Sequence, residues 1–218
     1  MDKFYISLST DPIKGIEDII KYADEIKDWA DFLHCDIMDG KFVERSTYDY
    51  VALKLIKERT LLPLDVHLMV KEPSKVIQKY IDAGANVITV HYEAYDDKKK
   101  LDRDLKKINK AGCLCGISIK PNTDIYEIMH LLSLVDIVLL MSVEPGKSGQ
   151  TFINETYSKL VELDKLREDY SSKFKIEVDG GINPEISHKL KRLGANIVVS
   201  GSFVYKSQDR IMAIKQLG

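Results

Sequence analysis

Little in this 218-residue sequence is both long and uncharged. No stretch approaches the roughly 20 apolar residues that a membrane-crossing helix needs. The opening MDKFYISLSTDP has no basic region leading into an apolar one, so no secretory leader is expected. Cysteine is scarce: Cys35, Cys113 and Cys115 are an odd set without CxxC spacing, and they read as reduced structural thiols. No linker rich in Pro, Gly or Ser and no low-complexity tract interrupts the chain, so nothing marks a domain boundary. A charge excess is missing too. The 32 Lys and Arg against 34 Asp and Glu leave a net charge of −2, which gives no broad positive field to attract nucleic acid. These absences predict a cytoplasmic protein of one domain, residues 1–218, with neither membrane nor nucleic acid among its partners.

What is present is a hydrophobic content of 44% beside 30% charged residues, enough apolar material for a sizeable core. Short apolar runs alternate with amphipathic stretches along the whole chain, the pattern of repeated βα units around a parallel sheet. Strands are predicted at Phe4–Ser9, Phe32–Met38, Pro63–Val70, Val87–His91, Cys113–Ile119, Ile137–Ser142, Phe174–Val178 and Asn196–Ser200. Eight such units predict the α/β class and a single (β/α)8 barrel. Between strands, Ser74 to Ala83 places Val76, Ile77, Tyr80 and Ile81 on one stripe and predicts a helix. Asn183 and Pro184 form a cap and first-turn pair, and the helix they start ends at Gly194. The echo of AGAN (83–86) and LGAN (193–196) marks two helices that each stop just before a strand.

Strand alternation puts His34, Asp36 and Met38 on one face, and Asp65, His67 and Met69 on one face of the next strand. Asp179 ends the seventh strand and is followed by two glycines. Active sites of this architecture lie at the C-terminal ends of the strands, so His34, Asp36, His67 and Asp179 can converge there. Two imidazoles and two carboxylates form a ligand set suited to one divalent ion: Zn2+, Fe2+, Mn2+ or Co2+. Asp65 and Glu177 fall deeper and read as a structural pair. Asp39 reads as a loop cap, His188 as a solvent-facing helix residue, and His91 as either a pocket wall or a satisfied core histidine. Glycine turns follow the last three strands, at Pro145 to Gln150, Gly180-Gly181 and Ser200 to Ser202. Gly146, Ser148, Gly149, Gly181, Gly201 and Ser202 are therefore candidates to hold a phosphate through close backbone approach.

The segments HCDIMDGKFV, PLDVHLMV, AGANVITVHYE, VLLMSVEPGKSGQTF, IEVDGGIN and VVSGSFVY resemble the ribulose-phosphate 3-epimerase family in order and spacing, over nearly the whole chain. The resemblance implies a barrel of the ribulose-phosphate-binding type and an isomerase of carbohydrate metabolism, in the pentose phosphate pathway, acting on a sugar phosphate. It implies a metal held by His34, Asp36, His67 and Asp179. The same carboxylates would serve as the acid/base pair that interconverts D-ribulose 5-phosphate and D-xylulose 5-phosphate through a cis-enediolate. For D-ribulose 5-phosphate, Asp36 is the base and Asp179 the acid. By the same analogy Met38, Met69 and Met141 wall the substrate, with an ordinary core role the alternative, and a serine near the start contacts it, either Ser7 or Ser9. A homo-oligomer is expected, with no feature selecting its symmetry.

The chain departs from the family pattern in three places. Tyr5-Ile6-Ser7-Leu8-Ser9 lacks the usual Pro-Ser pair. Lys41-Phe42-Val43-Glu44-Arg45 replaces His-Phe-Val-Pro-Asn after MDG, and Glu144-Pro145-Gly146-Lys147-Ser148-Gly149 replaces Asn-Pro-Gly-Phe-Gly-Gly. Lys147 is expected to be solvated. The changes spare the metal set and bear on the sugar, so D-allulose-6-phosphate 3-epimerase, with a hexose substrate, remains an alternative. A phosphate-binding-barrel lyase or decarboxylase, and a non-catalytic sugar-phosphate binder, are more distant ones.

Overall fold

The computed structural model describes residues 3–170 and 172–218; the N-terminal reading above rests partly on Met1 and Asp2, which lie outside them. Among the described residues, eight parallel strands close into a barrel in sequence order: β1 (Tyr5–Ser9), β2 (Phe32–Met38), β3 (Leu64–Met69), β4 (Val87–His91), β5 (Leu114–Ile119), β6 (Ile137–Met141), β7 (Lys175–Asp179) and β8 (Ile197–Ser200). The apolar runs thus mark the strands to within one residue at each end, because strands buried on both faces need little polar interruption. The intervening helices are α1 (Ile16–Ile26), α2 (Tyr50–Arg59), α3 (Ile77–Asp82), α4 (Lys98–Lys110), α5 (Glu155–Asp169), α6 (Pro184–Arg192), α7 (Ser202–Tyr205) and α8 (Arg210–Lys215). After β5 a ten-residue 3-10 segment, Ile125–Leu134, stands where an α-helix would. No described helix is long and apolar enough to cross a membrane.

Side chains alternate as the pleat requires. Leu33, Cys35 and Ile37 of β2 face the helices and join the main core, with Leu64, Val66 and Leu68 beside them. Inside the barrel, Val87, Ile137 and Ile197 fill the lowest layer against Tyr5 and Phe32. Above them the interior turns polar, with His34, Asp65, Thr89, Ser118 and Glu177 all buried. All three cysteines are free and buried.

The predicted helix from Ser74 to Ala83 is broken. A 3-10 turn, Pro73–Lys75, precedes α3, and Val76 sits at the joint with φ −120°. The cause is a long-range contact: Ser74 Oγ donates to the buried carboxylate of Asp104 on α4, which also accepts from Tyr95, and this fixes the turn. The seventh unit follows its reading. Asn183 Oδ1 accepts from Ile186 N at 3.0 Å, and Gly194 ends the helix region with φ 105°. The AGAN and LGAN echo has a shared purpose: Asn86 Oδ1 accepts from Leu64 N and Asn196 Oδ1 from Ile176 N, both at 2.9 Å. Each asparagine ties the base of its strand to the preceding strand.

Gly116 is set by packing inside the barrel. A Cβ there would stand 2.1 Å from Oγ1 of its register partner Thr89. Gly116→Ala is therefore expected to destabilise the fold by roughly 1–3 kcal/mol, the usual cost of overpacking a filled interior. The measurement is the urea midpoint, and Thr89→Ala in the same chain should recover part of the loss. An unchanged midpoint would mean the layer has slack.

Candidate active site

The C-terminal ends of β2, β3 and β7 bring four predicted side chains together. Asp36 is the register partner of His67, and Asp179 that of Met141. One ligand atom from each of His34, Asp36, His67 and Asp179 lies within 4.8 Å of all the others. His34, Asp36 and His67 are buried, and Asp179 is half-buried at the rim.

The tautomer of His34 is fixed from below. Its Nδ1 donates to Asp65 Oδ2 at 2.6 Å, and Ser7 Oγ donates to the same oxygen at 3.0 Å. That leaves Nε2 buried without a hydrogen-bond partner, 3.4 Å from Asp36 Oδ1. A bare lone pair facing a carboxylate oxygen calls for positive charge between them, and a metal ion ligated by Nε2 would supply it. Burial would depress the His34 imidazole, but Asp65 and Asp36 outweigh it and hold it well above the ordinary value. A proton therefore occupies this edge when no cation does.

The two carboxylates differ sharply. Burial would raise Asp36, yet His34 holds it below the usual carboxylate range, and Ser9 Oγ donates to its Oδ2 at 2.8 Å. Asp179 is pushed up to about 7, first by burial and then by the charge of Asp36. Opposed shifts in neighbouring carboxyls suit one to accept a proton and the other to donate one. Deeper in the barrel, burial and then Asp65 push Glu177 well above its ordinary value, so it stays neutral beside the Asp65 carboxylate. Neither Glu177 oxygen makes a well-formed hydrogen bond.

The remaining candidates fall around this centre. Ser9 faces the pocket, whereas Ser7 lies one layer below, fully buried on Asp65. Met38, Met69 and Met141 line the pocket and are themselves nearly fully buried. Gly146, Ser148, Gly149, Gly181, Gly201 and Ser202 line it too, from the loops after β6, β7 and β8. Gly181 admits no side chain: at φ 64° its Cβ would stand 2.8 Å from Phe152 N and 2.9 Å from Gln150 O. Lys147 is exposed, as is His188 on α6. Asp39 caps the loop after β2, accepting from Lys41 N and Phe42 N on one oxygen and Lys71 N on the other. Arg45, one of the residues that departs from the family pattern, pairs with Asp11 and ties that loop to the one after β1.

Two positioning hydroxyls escaped the sequence reading. Ser142 Oγ lies 2.7 Å from the carbonyl oxygens of both Asp179 and Gly180 and fixes the end of β7. Its signal was its place after Met141, in the strand beside Asp179. Thr47 Oγ1 donates to Asp36 O at 2.7 Å and accepts from Met38 N at 2.9 Å. Nothing near Thr47 in the sequence announces that contact.

A (β/α)8 barrel that gathers two imidazoles and two carboxylates at the C-terminal ends of its strands is the class that this fold and rim define, and comparison with known proteins narrows it. Residues 7–205 match the ribulose-phosphate 3-epimerase family, and the chain belongs to that family; it is an isomerase. It is 38% identical over 205 residues to the ribulose-phosphate 3-epimerase of Bacillus subtilis (strain 168), covering 92% of this chain and 93% of that protein. It is 40% identical over 184 residues to the enzyme of the same name from Aquifex aeolicus, covering 84% and 82%. Among solved structures, 3-hexulose-6-phosphate synthase from Salmonella typhimurium superposes with a TM-score of 0.74 at 20% identity, over 98% of this chain and 96% of that one, a likeness of fold.

Proposed function

We propose that residues 1–218 act as one catalytic domain that interconverts D-ribulose 5-phosphate and D-xylulose 5-phosphate by moving the proton on C3. The observation that carries this reading is the cluster of two imidazoles and two carboxylates at the barrel mouth, within 4.8 Å of one another, in a member of this family. His34, Asp36, His67 and Asp179 would hold one divalent ion, Zn2+, Fe2+, Mn2+ or Co2+, a choice their mixed nitrogen and oxygen donors leave open. When bound, the ion supplies positive charge that steadies the oxygens next to C3 once its C–H bond is broken.

The chain's own residues do the rest. Asp36, kept ionised by His34, takes the C3 proton of D-ribulose 5-phosphate, and Asp179 delivers one to the opposite face. The roles reverse for D-xylulose 5-phosphate. Ser9 holds Asp36 and faces substrate, while Met38, Met69 and Met141 keep water from the deprotonated carbon. Gly181, Gly201 and Ser202, with Gly146, Ser148 and Gly149 of the loop after β6, take the phosphate at backbone distance. The protein works in the cytoplasm as a homo-oligomer.

Incubation with D-ribulose 5-phosphate in D2O tests this. Deuterium should appear at C3 together with D-xylulose 5-phosphate, followed by NMR. No deuterium from protein of confirmed metal content would exclude the pentose. Faster exchange into D-allulose 6-phosphate run in parallel would make the hexose the substrate.

A further inference from the structure

A second histidine and a glutamate stand behind His67 and have no part in the chemistry above. His67 Nε2 lies 2.9 Å from His91 Nε2, and His91 Nδ1 lies 3.0 Å from Glu93 Oε2. His67 and His91 are fully buried, and the ring of Phe42 covers His91 at 4.8 Å between centroids. The other Glu93 oxygen accepts from the backbone N–H of Lys120 at 2.7 Å and from the Thr123 hydroxyl.

These contacts impose a direction on the chain. A backbone N–H cannot be reversed, so Glu93 is pinned as an acceptor on the β5 side and presents its second oxygen, also an acceptor, to His91. His91 must then carry its hydrogen on Nδ1 and accept at Nε2. His67 in turn must donate from Nε2, which leaves Nδ1 bare. That bare nitrogen faces Asp36 Oδ1 at 3.3 Å. Two acceptors held so close need a cation between them.

We propose that Glu93 and His91 are positioning residues: anchored on the loop after β5, they fix His67 in the tautomer that turns the Nδ1 lone pair toward the centre. The inference rests on the reading of His67 as a ligand. It explains why half-buried Glu93 is held on both oxygens, one by the loop after β5 and the other by His91. The second imidazole is thereby oriented by a carboxylate, as the first is by Asp65, with one extra ring interposed.

The test is an isosteric reversal. In Glu93→Gln the carbonyl oxygen must stay on Lys120 N, so the amide NH2 faces His91 and donates. Every proton in the chain then shifts by one place, and Nδ1 of His67 becomes protonated. Stripped protein titrated with Co2+, read by visible absorption and by competition with a chelator, should bind about 10–100-fold more weakly in Glu93→Gln than in wild type. Adding His91→Ala should restore much of the affinity, since His67 is released from the reversed donor; a purely structural role predicts further loss. In the wild-type Zn2+ form, imidazole 15N NMR should place the protons on His91 Nδ1 and His67 Nε2, a readout that needs no substitution. Wild-type Co2+ affinity in Glu93→Gln, or a proton on His67 Nδ1 in wild type, would overturn the relay and leave the metal reading standing. Wild type that takes up no Co2+ would overturn both.

Discussion

Asp36→Asn is expected to lower turnover of D-ribulose 5-phosphate by about 10^2–10^4-fold, the range typical for loss of a positioned base, while the fold persists. The argument is local. Asn has the shape of Asp and still accepts from Ser9 Oγ, and the backbone of β2 remains tied by Thr47. What disappears is the negative charge that His34 maintains, and with it the ability to take a proton. Turnover should be measured beside metal content, because Asn is also a poorer ligand. A variant that keeps its ion and still loses turnover isolates the base. His188→Ala, on the exposed face of α6, should behave as wild type. Asp36→Asn working within about 10-fold of wild type would remove Asp36 from the acid–base role, since the expected effect is far larger.

The barrel was legible because parallel strands covered by helices must be apolar on both faces, and this sequence spaces such runs evenly. The site was legible for the opposite reason. His34 with Asp36, and Asp65 with His67, are polar residues two apart within apolar runs, which alternation turns into one face. What alternation does not give is depth. Ser7 and Ser9 share a face, yet β1 is staggered so that Ser9 pairs with His34 and Ser7 with Phe32. Only that stagger lifts Ser9 to the pocket and leaves Ser7 beneath it. Contacts between distant elements were equally hidden. Ser74 meeting Asp104 breaks a helix whose apolar stripe reads as continuous. Glu93 meeting Lys120 N turns a histidine with two open readings into the middle of a directed hydrogen-bond chain. The loops that depart from the family pattern show a third limit. Arg45 would read as a solvated charge, and only the folded chain sets it against Asp11 across the pocket rim.

Asp179→Asn is expected to separate two events that the intact enzyme couples. With D-ribulose 5-phosphate, Asp36 can still remove the C3 proton. The acid that would deliver one to the far face is gone, so the deprotonated substrate persists while the Asp36 carboxyl exchanges its proton with D2O, and Asp36 then returns a deuteron to the face the proton came from. In D2O the remaining ketose should therefore gain deuterium at C3 while inversion falls by about 10^2–10^4-fold. From D-xylulose 5-phosphate the same variant should do neither, because the base for that direction is the residue removed. Asp36→Asn should show the mirror pattern, with exchange surviving only in D-xylulose 5-phosphate. The pattern follows from each carboxyl serving its own face of C3; in D-ribulose 5-phosphate turnover the division of labour also matches their environments, with Asp36 held low by His34 and Asp179 pushed up to about 7 by burial and by its neighbour's charge. Exchange and inversion that decline together from both substrates would mean that the carboxylates act as a unit on one face. Exchange surviving in the opposite ketose would mean that base and acid have been assigned the wrong way round.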